Sequence, residues 1–160
     1  MGMYISQDPI RIDGSIRLYG FTKDPNISFD LLGLDTVYKR LKDVGGGVLK
    51  PYVGSAKYGI KKRYTKKELE GANGKDVFFD LDHDSSRGLE QLIYEIGIRE
   101  KGEGYWANKY NPVSKSHIKS KKKYKDNMDK YTYRTTKAKE YMERKFGKDW
   151  EKVIIEEFGF

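Results

Sequence analysis

The residues of this chain that could do chemistry form one ordered series. Tyr38 is followed by Tyr52 and Gly54, then by Arg63, and Glu90 comes farther along. A guanidinium group is a planar, permanently charged fork that suits phosphate oxygens. A single carboxylate together with several water molecules is a common way of holding Mg²⁺. The residue types in this series therefore suit a phosphate ester and a divalent metal ion.

The residues around the two tyrosines predict a β-hairpin. A short strand begins at Thr36, three glycines (Gly45 to Gly47) make a turn, and Val48 to Gly54 form the returning strand. Gly54 is expected to allow a close turn behind Tyr52. Residues 77–81 are predicted to be a third strand.

Arg63 and Glu90 are expected on helices. Residues 58–69 have a helical composition, with basic side chains on most of the surface. Ser85 or Ser86 can cap a second helix that runs to about Gly97. Its buried stripe is predicted to be Leu89, Leu92, Ile93 and Ile96. Glu90 lies off the middle of that stripe.

This ordered set resembles the GIY-YIG nuclease family over about residues 35–113. The resemblance implies an α+β fold, with a small central antiparallel sheet flanked by helices. It also implies hydrolysis of phosphodiester bonds with Mg²⁺ or Mn²⁺ as the cofactor. Tyr38 matches the tyrosine that accepts the proton of the attacking water, and Tyr52 matches its neighbour in the second motif. A phenol titrates near pH 10, so nearby positive charge must favour the anion of Tyr38.

The resemblance also implies the partners of the tyrosines. Arg63 matches the arginine that grips the scissile phosphate, and Lys61 or Lys62 would take its place if the register slipped. Glu90 matches the only side-chain metal ligand of the family. Glu95 is the rival ligand, but on an ideal helix it faces about 140° away.

Four further residues are expected to contact the substrate: Gly54, Lys57, Lys62 and Asn111. Asn111 resembles the asparagine that closes the family core, where it ties loops together or contacts phosphate, and Asn108 is the alternative. Two departures from the family stand out. The hairpin between the tyrosines is longer than usual, and Lys66-Lys67 stand where some homing enzymes place a histidine.

His83 suggests a second metal site because Asp80, Asp82 and Asp84 surround it in sequence. Acidic residues at the end of a strand are more often simply solvated. We therefore expect these side chains to face water and favour Glu90 as the only metal ligand.

The first 34 residues resemble the end of the core of an Rhs (YD-repeat) toxin. The matching segments are Ser6-Gln7-Asp8-Pro9-Ile10, Ile16-Arg17-Leu18-Tyr19, and Pro25 to Leu34. The family's second Asp-Pro is replaced here by Asp30-Leu31. In such toxins a variable toxic domain follows this boundary, so residues 1–34 are interpreted as the end of an Rhs core or a linker. An ordinary loop-rich arm is the alternative.

Residues 114–160 are predicted to form a basic helical extension. The net charge is +8, of which residues 115–160 carry +6. Lys121, Lys122 and Lys123 are expected to bind the nucleic-acid backbone, because polyanions are attracted to such charge. The predicted helices are about Lys121–Lys130, Thr135–Phe146 and Asp149–Phe158. Trp150, Ile154 and Phe158 share one face and are expected to dock on the body.

The composition excludes several classes of protein. The chain has no cysteine and two histidines, so disulfides, cysteine catalysis and multi-histidine metal sites are not expected. Neither an apolar run of membrane-spanning length nor a secretory signal is visible, so no membrane partner is expected.

Together the two resemblances imply the toxic module of an Rhs-type polymorphic toxin, a DNA endonuclease acting in the cytoplasm of a competing bacterium. The expected partners are DNA, the Rhs shell and a cognate immunity protein. The alternatives are a toxin that cleaves RNA and a non-catalytic basic module that binds DNA.

Overall fold

The computed structural model describes residues 34–109, 112 and 127–160, without the side chains of Asn127 and Met128. The proposed Rhs remnant therefore lies outside the described residues, apart from Leu34. Asn111 and the lysine run Lys121 to Lys123 also lie outside them. The predictions for these segments stay predictions.

Three antiparallel strands form the sheet. β1 (Asp35–Asp43) and β2 (Leu49–Ala56) pair from Thr36↔Ala56 to Asp43↔Leu49. Gly45, Gly46 and Gly47 all have positive φ, which explains why glycines occupy the turn. β3 (Lys75–Leu81) pairs with the other edge of β1, so the strand order is β2-β1-β3. The predicted hairpin, the third strand and the α+β class are confirmed.

The predicted helix over residues 58–69 is wrong. The structure has two single-turn helices instead, α1 (Ile60–Arg63) and α2 (Lys66–Leu69). Tyr64 between them is extended, and Thr65 caps α2 in a reciprocal capping box with Glu68. A Thr-x-x-Glu sequence favours a new helix start at this point, so the chain breaks the first helix directly after Arg63.

A long helix, α3 (His83–Lys101), crosses the sheet. Asp82 caps it by accepting from the backbone N–H of Ser85 at 2.9 Å and from the Ser85 hydroxyl at 2.7 Å. The expected cap at Ser85 or Ser86 and the expected end at Gly97 are therefore wrong. Gly97 lies inside the helix, which continues to Lys101. Glycine suits this position because Trp106 packs against it, and an added Cβ would lie 2.6 Å from the indole ring.

Two C-terminal helices complete the described fold. α4 (Asn127–Phe146) packs along α3, and α5 (Trp150–Phe158) follows it. α4 is continuous from residue 130 to residue 135, so the predicted break between two helices at this point is wrong. Trp150 and Ile154 are buried in the main core and Phe158 packs against it, which confirms the predicted docking face. None of the described helices has an apolar stretch of membrane-spanning length.

Candidate active site

Gly54 lies inside β2 and faces Tyr38 directly across the hairpin. It is not in a turn, so that part of the sequence interpretation is wrong. A Cβ at Gly54 would lie 2.6 Å from Cζ of Tyr38 and 3.0 Å from Cε1 of Tyr52. Glycine is required here because the ring of Tyr38 lies across its bare Cα. The rings of Tyr38 and Tyr52 then stack at 6.3 Å.

Tyr38 is fully buried, with 0% of its surface exposed. Its hydroxyl lies 3.0 Å from the hydroxyl of Tyr64. Burial first, and then this hydrogen bond, raise the pKa of Tyr38 well above its usual value, and nearby Arg63 lowers it only in part. Arg63 thus favours the Tyr38 anion, as expected, but burial and the hydrogen bond with Tyr64 outweigh its effect on the pKa. Burial also raises the pKa of Tyr52, with a further contribution from Glu90.

Arg63 is held at the end of the short helix α1. Asp76 on β3 fixes the start of that helix by accepting from the backbone N–H of Ile60 at 2.9 Å. The Arg63 guanidinium donates to the backbone carbonyl of Ser55 and lies 5.8 Å from the centre of the Tyr38 ring. Burial lowers the pKa of Arg63, but the tyrosines and Glu90 raise it by more. Arg63 is therefore a permanent cation beside both tyrosine strands.

Glu90 is buried, with 3% of its surface exposed, and faces β2 from α3. The spacing had suggested a position off the middle of the buried stripe, but Glu90 is as buried as the residues of the stripe itself. The Ser55 hydroxyl donates to its Oε2 at 2.9 Å, and Nη1 of Arg87 donates to the same oxygen at 2.6 Å. Burial raises the pKa of Glu90, while Arg87, Ser55 and Arg63 oppose that rise.

A groove of about 500 Å³ opens beside this cluster, and we call it the Arg63 groove. Its side-chain cations are Lys57, Lys62, Arg63 and Arg87, and its other polar side chains are Asp35, Ser55, Tyr58 and His83. Asp35 is the single carboxylate among the described residues of this lining. The predicted positions Lys57 and Lys62 thus share one groove with Arg63. Arg87 is paired with Glu90, but Lys57, Lys62 and Arg63 still outnumber the one carboxylate of the lining, which makes the groove attractive to a phosphate group.

Asn108 joins the segment after α3 to the edge of the sheet. Its amide accepts from the N–H of Val53 at 3.2 Å and donates to the carbonyl of Val53 at 2.9 Å. These two bonds hold β2 at Val53, the residue directly before Gly54. Asn108, which was the alternative to Asn111, therefore makes the expected contact that ties loops together.

The rival acidic residues are engaged elsewhere. Glu95 accepts from the hydroxyl of Tyr131 on α4 at 2.8 Å and from the amide of Gln91 at 2.8 Å. Asp84 pairs with Arg134 of α4 at 3.0 Å, and Asp82 is the helix cap. Asp82 and Asp84 thus serve the fold, and Asp84 is buried instead of facing water as expected.

Sequence reasoning missed Ser55, Tyr64 and Arg87. Ser55 connects Arg63 to Glu90, Tyr64 bonds to Tyr38, and Arg87 pairs with Glu90 while donating to the carbonyl of Pro112 at 2.7 Å. The one available signal was the spacing of Arg87 and Glu90, since residues three apart on a helix are neighbours. Nothing local indicated the other two.

A metal ion at this site would depend on Glu90. Within residues 34–109, 112 and 127–160 there is no group of three or more His, Asp or Glu that could hold a metal. One carboxylate beside a hydroxyl and water is nevertheless a donor set that Mg²⁺ accepts. Because Arg87 bonds to Oε2, a cation reaches that oxygen only when Arg87 turns away. The donor set fits Mg²⁺ on that condition.

We compared the chain with protein families, curated proteins and solved structures, and none of them matches it. Assignment of a function therefore depends on the residues of the site.

Proposed function

We propose that this protein is a metal-dependent DNA endonuclease of the GIY-YIG type. One observation carries the proposal. Tyr38, Tyr52, Arg63 and Glu90 come from four different elements, yet Arg63 lies beside the stacked tyrosines and shares Ser55 with Glu90. Arg63 and Ser55 in turn line one cationic groove.

The groove has the size and charge that a phosphodiester requires. Its volume of about 500 Å³ lies within the range of roughly 300–1,000 Å³ that is typical of ligand sites. Arg63 presents a planar fork to the phosphate, and Lys57 and Lys62 add charge along the nucleic-acid backbone. Cations fixed in place before the reaction stabilise the charge that develops on the phosphate oxygens.

Glu90, with Ser55 beside it, would hold the divalent metal ion. When bound, the ion would supply Lewis-acid stabilisation of the phosphate and of the leaving oxygen. Arg87 would then be released from Glu90 toward the groove that it already lines, where it would add a further cation for the phosphate.

We further propose that this nuclease is the toxic module of an Rhs-type polymorphic toxin that acts in the cytoplasm of a competing bacterium. Residues 1–34 support this through their resemblance to the end of an Rhs core, and the +6 charge of residues 115–160 suits DNA. A producer of such a nuclease needs an immunity protein, and an acidic surface on that protein would complement the basic chain.

The test is incubation of the purified chain with supercoiled plasmid and, separately, with total RNA, each with Mg²⁺, Mn²⁺ or chelator. We expect metal-dependent nicking of plasmid and none with Glu90→Gln. Cleavage of RNA alone would replace DNA by RNA as the substrate. Binding without cleavage under every condition would favour the non-catalytic module.

Metal binding has a readout of its own. A ligand present at 100 times its Kd stabilises the folded state by about 2.7 kcal/mol. Mg²⁺ or Mn²⁺ should therefore raise the denaturation midpoint of the wild-type protein and leave that of Glu90→Gln unchanged. An equal rise in both proteins would remove Glu90 as the ligand.

A further inference from the structure

Asp35 and His83 form a pair at the wall of the Arg63 groove. Nδ1 of His83 lies 3.0 Å from Oδ2 of Asp35, and the Ser86 hydroxyl donates to that same oxygen at 2.8 Å. The Asp35 side chain is 8% exposed, whereas that of His83 is 70% exposed. A buried, hydrogen-bonded carboxylate thus holds an imidazole that reaches into the groove.

This geometry fixes the form of the neutral imidazole. With the Nδ1 proton donated to Asp35, Nε2 is left as a hydrogen-bond acceptor. The pair is not needed to cap the helix, because Asp82 already does so. An oriented imidazole with a free acceptor nitrogen is the usual form of a general base.

The tyrosine that the resemblance offers as the base is poorly suited to that task here. Tyr38 is fully buried, its hydroxyl bonds to Tyr64, and it is absent from the lining of the groove. A water molecule in the groove therefore meets His83 more readily than Tyr38.

We propose that His83 is the general base of the Arg63 groove, with Asp35 and Ser86 as its positioning residues. The inference rests on the proposed nuclease function. The oxygen of a water molecule attacks phosphorus while Nε2 of His83 takes one of its protons. The bond from phosphorus to the leaving oxygen breaks, and that oxygen takes a proton from solvent. The imidazolium, stabilised by Asp35, then returns its proton to solvent.

The kinetic test compares His83→Ala with Tyr38→Phe, using the wild-type chain, Glu90→Gln and His117→Ala as controls. Removal of a general base costs about 10²–10⁴-fold in rate. We expect a loss of that size in kcat for His83→Ala, little change in KM, and a smaller loss for Tyr38→Phe. Added imidazole should restore part of the rate of His83→Ala in proportion to its concentration. His117→Ala removes the chain's other histidine and should cleave normally.

A second measurement does not depend on cleavage. ¹⁵N spectra of the His83 ring should show the Nδ1–H form in the wild-type protein and a mixture of forms in Asp35→Asn. A ring without a preferred form in the wild type would contradict the pair.

The outcomes separate the two proposals. If wild type cleaves, Glu90→Gln is dead and His83→Ala cleaves normally, His83 is not the base and the nuclease assignment stands. If Tyr38→Phe loses orders of magnitude while His83→Ala does not, Tyr38 is the base despite its burial. If wild type cleaves no nucleic acid with either metal, both proposals fall together.

Discussion

The two sides of helix α3 use acidic residues in different ways. On the side that faces the sheet, Glu90 is bonded by Ser55 and Arg87 next to a groove that is open to solvent. On the side that faces α4, Glu95 accepts from Tyr131 and Asp84 pairs with Arg134. Acidic residues thus adjoin the candidate site on one side and support helix docking on the other. An arginine adjoins a carboxylate on both sides, so the difference comes from the groove that opens beside Glu90.

The largest expected effect separates two glutamates five residues apart. Glu90→Gln should lower cleavage by at least about 10³-fold, since a bound metal is worth several kcal/mol of transition-state stabilisation. Glu95→Gln is the matched control and should retain most of the activity. Plasmid nicking with Mg²⁺ measures both. An inactive Glu95→Gln variant together with an active Glu90→Gln variant would make Glu95 the metal ligand instead of Glu90.

Substitutions of Arg63 test the side of α3 that faces the sheet while leaving Glu90 in place. Arg63→Ala should lower kcat by about 10²–10³-fold, the cost of removing one preorganised donor to developing charge. Arg63→Lys keeps the charge but loses the planar fork, so it should recover only part of the rate. Single-turnover cleavage by both variants provides the measurement. Equal activity of alanine and wild type would remove Arg63 from the site.

Gly88 tests the docking side. An added Cβ there would overlap the backbone carbonyl of Arg134, because α3 and α4 approach closely at this position. Overpacking of this kind costs about 1–3 kcal/mol, so Gly88→Ala should unfold at a lower denaturant concentration. The folded fraction should cleave far better than Glu90→Gln does. Unchanged stability would show that the two helices separate easily.

The pH dependence of stability should distinguish Glu90 as well. Burial raises the pKa of Glu90 in the folded state, so the folded protein keeps this proton at pH values where the unfolded chain has released it. The contribution of Glu90 to stability is therefore full below its unfolded pKa and falls as the pH rises toward the folded pKa. Glu90→Gln should gain stability relative to wild type over that window in metal-free buffer. Denaturant titrations from acid to neutral pH measure the difference.

The smallest expected effect concerns the lysine run, which belongs to neither side of α3. Reversing the charges of Lys121, Lys122 and Lys123 should weaken DNA binding while kcat at saturating substrate persists. Each lost phosphate contact lowers the slope of log K against log salt by about 0.9. An unchanged slope would mean that these lysines do not contact DNA.

The sequence by itself determined the parts that local spacing encodes. The hairpin from β1 to β2 follows from alternating residues around a glycine turn. The docking of Trp150, Ile154 and Phe158 follows from their helical spacing. Both patterns depend on neighbours within a few residues, so no distant contact is needed to interpret them.

Only the tertiary structure decided which charges and hydroxyls meet. Ser55 reaches Glu90 because α3 crosses β2 at that point, and Tyr38 bonds to Tyr64 because α1 ends one residue earlier. The burial that raises the pKa of Tyr38 and the 48-residue separation of Asp35 and His83 are likewise products of packing. Hydrogen bonds and desolvation act over a few ångströms in space, whatever the distance along the chain, and local spacing therefore could not predict these contacts.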